Sequence, residues 1–245
     1  MAWALQFDGV NDYATFASVS IAGDFTVSGR FKTPPVLATQ ILLGNTSSNN
    51  GFIALFSNGT FEVQIDGTAL SPRVSGLVSD TFYDFTLTMA GTSISFEVST
   101  LTTQNYSNND VLAFNSVGRF SSGLYFGGQV ENITITDPLS SVNDRNWDAT
   151  ASSHAAGTPI LTDTIGGNNA TGVNMPTDGS AWVDLGGGGI VAKFTRTLPA
   201  PSATISGGFV FLLSAGWFTD ADQGAAGSPI DGGTNSLANG GGDMK

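Results

Sequence analysis

The stretch Thr81-Phe82-Tyr83-Asp84-Phe85-Thr86-Leu87-Thr88-Met89-Ala90-Gly91-Thr92-Ser93-Ile94-Ser95-Phe96-Glu97-Val98 decides the fold class. Phe85, Leu87 and Met89 alternate with polar residues, and Ile94, Phe96 and Val98 resume the alternation beyond Gly91. A period of two puts every second side chain on one face of a strand, so this is a β-hairpin with one face in a core. Upstream, Ile53-Ala54-Leu55-Phe56 and Phe61-Glu62-Val63-Gln64-Ile65 flank Asn58-Gly59, a dipeptide suited to the positive-φ turn that matches strand twist. Further strands are expected at 3–8, 12–17, 24–32, 38–44, 110–119 and 124–136, separated by Gly, Asn, Asp and Pro. Many short strands with such turns predict an all-β fold, two antiparallel sheets packed face to face as a jelly-roll sandwich.

Composition supports this. Charged residues make up 11% of the 245 residues, against roughly 25% in an average globular chain. With three glutamates (Glu62, Glu97, Glu131) and three lysines (Lys32, Lys193, Lys245), long solvent-facing helices laced with ion pairs cannot be assembled. The formal charge of −12 repels phosphate backbones and argues against nucleic-acid binding. Absence of cysteine removes disulfides, thiolate nucleophiles and thiolate-held metals, and the single histidine, His154, leaves no histidine pair for a metal. The start, Met1 to Asp8, lacks the basic and apolar regions of a signal peptide, so none is expected. The longest apolar run, Gly207 to Phe218, falls short of the roughly 20 residues of a membrane span.

After Asp137-Pro138 the chain becomes turn-rich, with one short helical turn expected near Val142 to Trp147, and it reaches a flexible joint at Gly186-Gly187-Gly188-Gly189. The division expected is a jelly roll over residues 1–186, closed by the segment 139–186, and a Gly-rich extended arm over 187–245. The arm carries Phe194, Phe209, Phe211, Leu213 and Trp217, more apolar surface than a loose tail leaves in water, so it is read as an assembly arm that packs on other subunits.

The runs Leu5-Gln6-Phe7-Asp8-Gly9-Val10-Asn11-Asp12-Tyr13-Ala14 and Gly23-Asp24-Phe25-Thr26-Val27 resemble the concanavalin A-like lectin/glucanase superfamily, specifically its laminin G-like jelly rolls. The run Phe126-Gly127-Gly128-Gln129-Val130-Glu131-Asn132-Ile133-Thr134-Ile135 resembles the strand that ends such domains, so the likeness covers residues 3–137. The stretch Gly157 to Thr171, with Trp182-Val183, resembles the segment that usually precedes the Phe-Asp-Gly strand. Here it follows, a permuted order of the kind found in bacteriophage structural proteins, and it extends the likeness to residue 186.

Asp8, Asn11 and Asp12 share one short turn and could ligate Ca²⁺ through hard oxygens. The competing reading, a turn whose side chains cap their own backbone, is preferred because spaced acids of a calcium loop are missing. No other cofactor is expected. Glycosidase chemistry needs two carboxylates across a sugar, and Glu62, Glu97 and Glu131 are spread apart, each expected to face outward from a strand. Aromatic rings beside loops could stack on sugar faces, which makes Tyr83, Tyr106, Tyr125 and Trp147 the candidate glycan-binding residues, against the alternative that they seal the sandwich rim. Three functions remain in this order: a non-enzymatic virion structural protein (capsid decoration, spike or tail-fibre component), a carbohydrate-binding adhesin, and a glycan-cleaving enzyme. The partners expected are other virion proteins, further copies of the chain and cell-surface glycans, with the particle surface as location.

Overall fold

In the computed structural model, which describes residues 2–186 apart from 48–50, 109 and 121–122, the alternating runs become strands. The first half contains β1 (Trp3–Gln6), β2 (Tyr13–Ile21), β3 (Phe25–Lys32), β4 (Gln40–Gly44), β5 (Gly51–Leu55), β6 (Thr60–Ile65), β7 (Thr68–Ala69), β8 (Val74–Ser75) and β9 (Phe82–Ala90). The second contains β10 (Ser93–Val98), β11 (Gln104–Ser107), β12 (Leu112–Val117), β13 (Arg119–Phe120), β14 (Leu124–Tyr125), β15 (Gln129–Thr136), β16 (Arg145–Asp148), β17 (Ile160–Asp163), β18 (Ala170–Val173) and β19 (Trp182–Asp184). All pairings among them are antiparallel.

One sheet runs β11-β10-β9-β3-β15, and β15 then shares its free side between β1 and β16. The other runs β18-β2-β12-β4-β5-β6, with β7 and β8 along the edge of β6. Strand β17 joins them, pairing with β16 on one side and β18 on the other. The architecture is a concanavalin A-like jelly roll. Its interior is aromatic: Phe31 of the first sheet lies 5.1 Å from Phe61 of the second, and Phe61 lies 5.3 Å from Phe96. These rings are fully buried, and each such side chain removed from water stabilises by about 1.5–3 kcal/mol.

The deciding hairpin forms in the expected register, Ala90 opposite Ser93 and Phe85 opposite Val98. Strands from the segment 139–186 pair with the first two strands, β19 with β1 (Leu5 opposite Trp182) and β18 with β2 (Gly172 opposite Ala14).

Three expectations are corrected. The helical turn at Val142 to Trp147 is only a single 3₁₀ turn, Ser141–Asn143, followed by β16, because pairing Trp147 with Ile133 buries the indole completely. The strand expected over 110–119 ends at Val117, because Gly118 adopts φ +86° with the Phe7 ring 2.9 Å from where a Cβ would stand. Glu62 alternates with Phe61 and Val63 but is 5% exposed, not solvated, because the Arg73 Nε donates to it at 2.7 Å and covers it. The arm residues Phe194, Phe209, Phe211, Leu213 and Trp217 lie outside the described residues.

Candidate functional site

Where β12 ends, the chain turns over the outer side of β4. The Ser116 Oγ stands 3.0 Å from the Gly44 carbonyl and 2.8 Å from the Arg119 carbonyl, so its one proton lies between the two backbones and ties them together. Position 44 must be glycine, since any Cβ there would collide with the Arg119 carbonyl. The β13–β14 hairpin, with Arg119 opposite Tyr125, is thereby held beside the start of β2.

This brings together residues remote in sequence. The Arg119 guanidinium carbon lies over the Tyr13 ring at 4.6 Å and over the Tyr125 ring at 5.8 Å, while the two rings stand 6.3 Å apart with a 44° tilt. Phe120 meets Phe52 of β5 edge-on at 5.1 Å. All five residues are half-buried, so each ring is fixed by packing on one side and keeps some surface open. A cation over a tyrosine face contributes about 0.5–1 kcal/mol at such sites and fixes the geometry. Arg119 has no carboxylate partner among the described residues.

Of the aromatics singled out by sequence, Tyr125 alone belongs to this surface. Trp147 is a core residue: it is fully buried, packs 4.1 Å from Phe16, and its Nε1–H donates to the Asn168 carbonyl at 2.8 Å. Tyr83 is likewise buried at 5% exposure, its hydroxyl accepting from the Val78 amide at 2.9 Å. Neither offers a face to a sugar, because strand alternation turns both inward. Tyr106 sits elsewhere, at the edge strand β11, donating to the Pro72 carbonyl at 2.7 Å. Burial, with the Glu62 charge, pushes its hydroxyl up to about 12. Tyr13 and Arg119 escaped sequence reasoning, although Tyr13 stands in the Phe-Asp-Gly-x-x-Asp-Tyr run, where the ring could have been weighed.

Asp8, Asn11 and Asp12 do share a turn, and the turn uses its own carboxylates. Asp8 Oδ1 accepts from the amides of Val10 (2.8 Å), Asn11 (3.1 Å) and Asp12 (3.1 Å), while Asp12 Oδ2 accepts from the Asp8 amide at 3.2 Å. Burial raises the Asp8 carboxyl, but these amides outweigh it and hold it below the usual range. Asp12, buried and facing the Asp8 charge, is raised. Among the described residues no cluster of three or more His, Asp or Glu is arranged to hold a metal. His154 stacks on Trp3 at 4.0 Å, with Nε2 2.7 Å from the Ala149 carbonyl, so it serves the closing segment's packing. The glutamates stay apart: Glu62 pairs with Arg73 (2.7 Å), Glu131 with Arg30 (2.8 Å), and Glu97 is exposed on β10.

No family model matches the sequence, and no curated protein matches it. Among solved structures, the fold is similar to that of a Bacteroides ovatus protein for which carbohydrate binding has been proposed (TM-score 0.53, 15% identity, covering 72% of this chain). This chain spans 61% of that protein's length. Chicken galectin 2 matches over 50% of this chain and 99% of its own (TM-score 0.34, 9% identity). The LG4-5 domains of the mouse laminin alpha1 chain match over 52% and 41% (TM-score 0.37, 10% identity).

Proposed function

We propose that the chain is a non-catalytic carbohydrate-binding domain whose sugar contacts lie on the Tyr13–Arg119–Tyr125 surface. The observation that carries this reading is the pair of half-buried tyrosine rings, 6.3 Å apart, with a guanidinium over both. The C–H face of a pyranose packs on an aromatic face, and its hydroxyls accept from guanidinium N–H groups, so one surface supplies both halves of sugar recognition. The fold shared with the Bacteroides ovatus protein for which carbohydrate binding has been proposed supports it further. The non-catalytic part rests on the carboxylates: two of the three glutamates, Glu131 and Glu62, are engaged by arginines at 2.8 and 2.7 Å. A glycan array probed with the full-length protein tests the reading. Binding that weakens at least tenfold in Tyr125→Ala and Tyr13→Ala is expected, whereas a clean array, or binding indifferent to both changes, refutes it.

As its setting we propose the surface of a virus particle, with residues 187–245 joining copies of the chain or a neighbouring particle protein. The support is the order of the sequence, in which the stretch resembling the segment that usually precedes the Phe-Asp-Gly strand follows it, and its strand β19 pairs with β1. Mass spectrometry of purified particles tests this; absence of the chain from every particle fraction refutes it.

A further inference from the structure

Every other lysine and arginine among the described residues faces a carboxylate. Arg30 meets Glu131 at 2.8 Å, Lys32 meets Asp80 at 2.7 Å, Arg73 meets Glu62 at 2.7 Å and Arg145 approaches Asp163 at 3.8 Å. Arg119 alone has none within 4.0 Å among those residues, in a chain whose formal charge is −12. Its Nε is sealed from solvent without an acceptor among the described residues. That leaves the two Nη atoms as the donors a ligand can use. A planar guanidinium fork matches a carboxylate, which accepts two parallel N–H bonds, better than it matches a sugar hydroxyl.

Resting on the carbohydrate-binding reading, we propose that the ligand is an acidic glycan, one whose uronic acid carboxylate docks on Arg119 while a neighbouring ring stacks on Tyr125 or Tyr13. The overall negative charge does not forbid this. Screening reduces exposed charges beyond about 8 Å at physiological salt, so remote carboxylates count little. In the adjoining turn, Asp8 Oδ1 and Asp12 Oδ2 are taken up by the turn's own backbone amides. Among the described residues the cation placed on the rings is this guanidinium, and it discriminates against sugars that cannot complete it.

The test uses the full-length protein and matched ligands: oligogalacturonides, the same oligomers as methyl esters, neutral cello-oligosaccharides and a sulfated dextran, titrated calorimetrically at physiological salt. The acid is expected to bind about tenfold or more tightly than its ester, the loss typical of one charge-assisted pair. Arg119→Gln should abolish that preference, and Arg119→Lys should retain part of it. The ester comparison needs no variant, so it stands even if a substitution disturbs the hairpin. Equal binding of acid and ester, or a preference that survives Arg119→Gln, overturns the acidic-glycan proposal and leaves carbohydrate binding intact. Binding of sulfated dextran without oligogalacturonide overturns the carboxylate as the recognised group. No binding to any sugar overturns both proposals.

Discussion

Trp147 and the Tyr13–Arg119–Tyr125 cluster are both aromatic sites on strands beside loops, yet they are opposites. The indole of Trp147 is enclosed, with its N–H given to the Asn168 carbonyl. The cluster instead leaves a cation without a counterion among the described residues and keeps its tyrosine rings half-open. A fold completes the polar groups it needs for itself, so the difference separates what stabilises the jelly roll from what is left for a ligand. Mutation can break this comparison by showing that the enclosed site is dispensable or that the open one is structural.

The largest effect belongs to Trp147→Ala. It empties a fully buried indole site between Phe16 and β15 and should cost about 3–5 kcal/mol, read as a shift in denaturation midpoint. A loss under about 1 kcal/mol would mean that the closing segment contributes little to the core. In that case the chain cut after Gly186 would not melt as one unit, whereas β19 pairing with β1 leads us to expect a single cooperative transition.

Asp163 comes next. Its side chain is fully buried at the β17 end, and Oδ1 accepts from the amides of Asn146 (2.9 Å), Ile165 (3.1 Å) and Gly166 (3.1 Å), while Oδ2 accepts from Asn168 (2.9 Å). Burial raises its carboxyl, but these amides together outweigh burial and hold it below the usual range. A carboxyl lowered on folding contributes stability that is present above its unfolded value, near 3.9, and is lost as pH falls through the folded value. Asp163→Ala should cost about 2–3 kcal/mol at neutral pH and flatten the acid limb of the stability curve. An acid limb unchanged by the substitution would show that the loop does not depend on this carboxylate.

How legible these sites were differs for a physical reason. The Phe85–Val98 hairpin and the Asn58-Gly59 turn could be read because period-two alternation and turn residues are local, while the segment 139–186 was read only through its resemblance to a known family. Trp147 could not, since its strand exists only because β15 and β17 are there to pair with it. Glu62 looked solvated because Arg73 comes from a separate strand connection. The candidate site is the least legible of all. Tyr13, Arg119 and Tyr125 meet only through the tie between Ser116, Gly44 and the β13–β14 hairpin, and no spacing in the sequence announces that contact.

Against Trp147→Ala, Tyr125→Ala should be nearly silent in stability, costing less than about 1 kcal/mol for a lost cation–π contact and partial burial. Its effect should appear in glycan binding alone. A loss of several kcal/mol would turn the open cluster into a second structural site and remove the contrast.

The smallest expected effect is that of a chelator. Calcium would have to compete for Asp8 Oδ1 with three backbone amides already bound to it, at 2.8, 3.1 and 3.1 Å, and for Asp12 Oδ2 with the Asp8 amide. A divalent ion there would need six to eight oxygens, so the turn would have to open and release those amides before it could coordinate. EDTA should therefore move the melting temperature by no more than about 2 °C, less than or about equal to the shift for 1 kcal/mol in a domain of this size. A large fall in melting temperature, restored by Ca²⁺ and not by Mg²⁺, would show that the turn rearranges around a metal. The region next to Tyr13 would then be built for a cation of its own, and the contrast between self-completed fold and open site would have to be redrawn there.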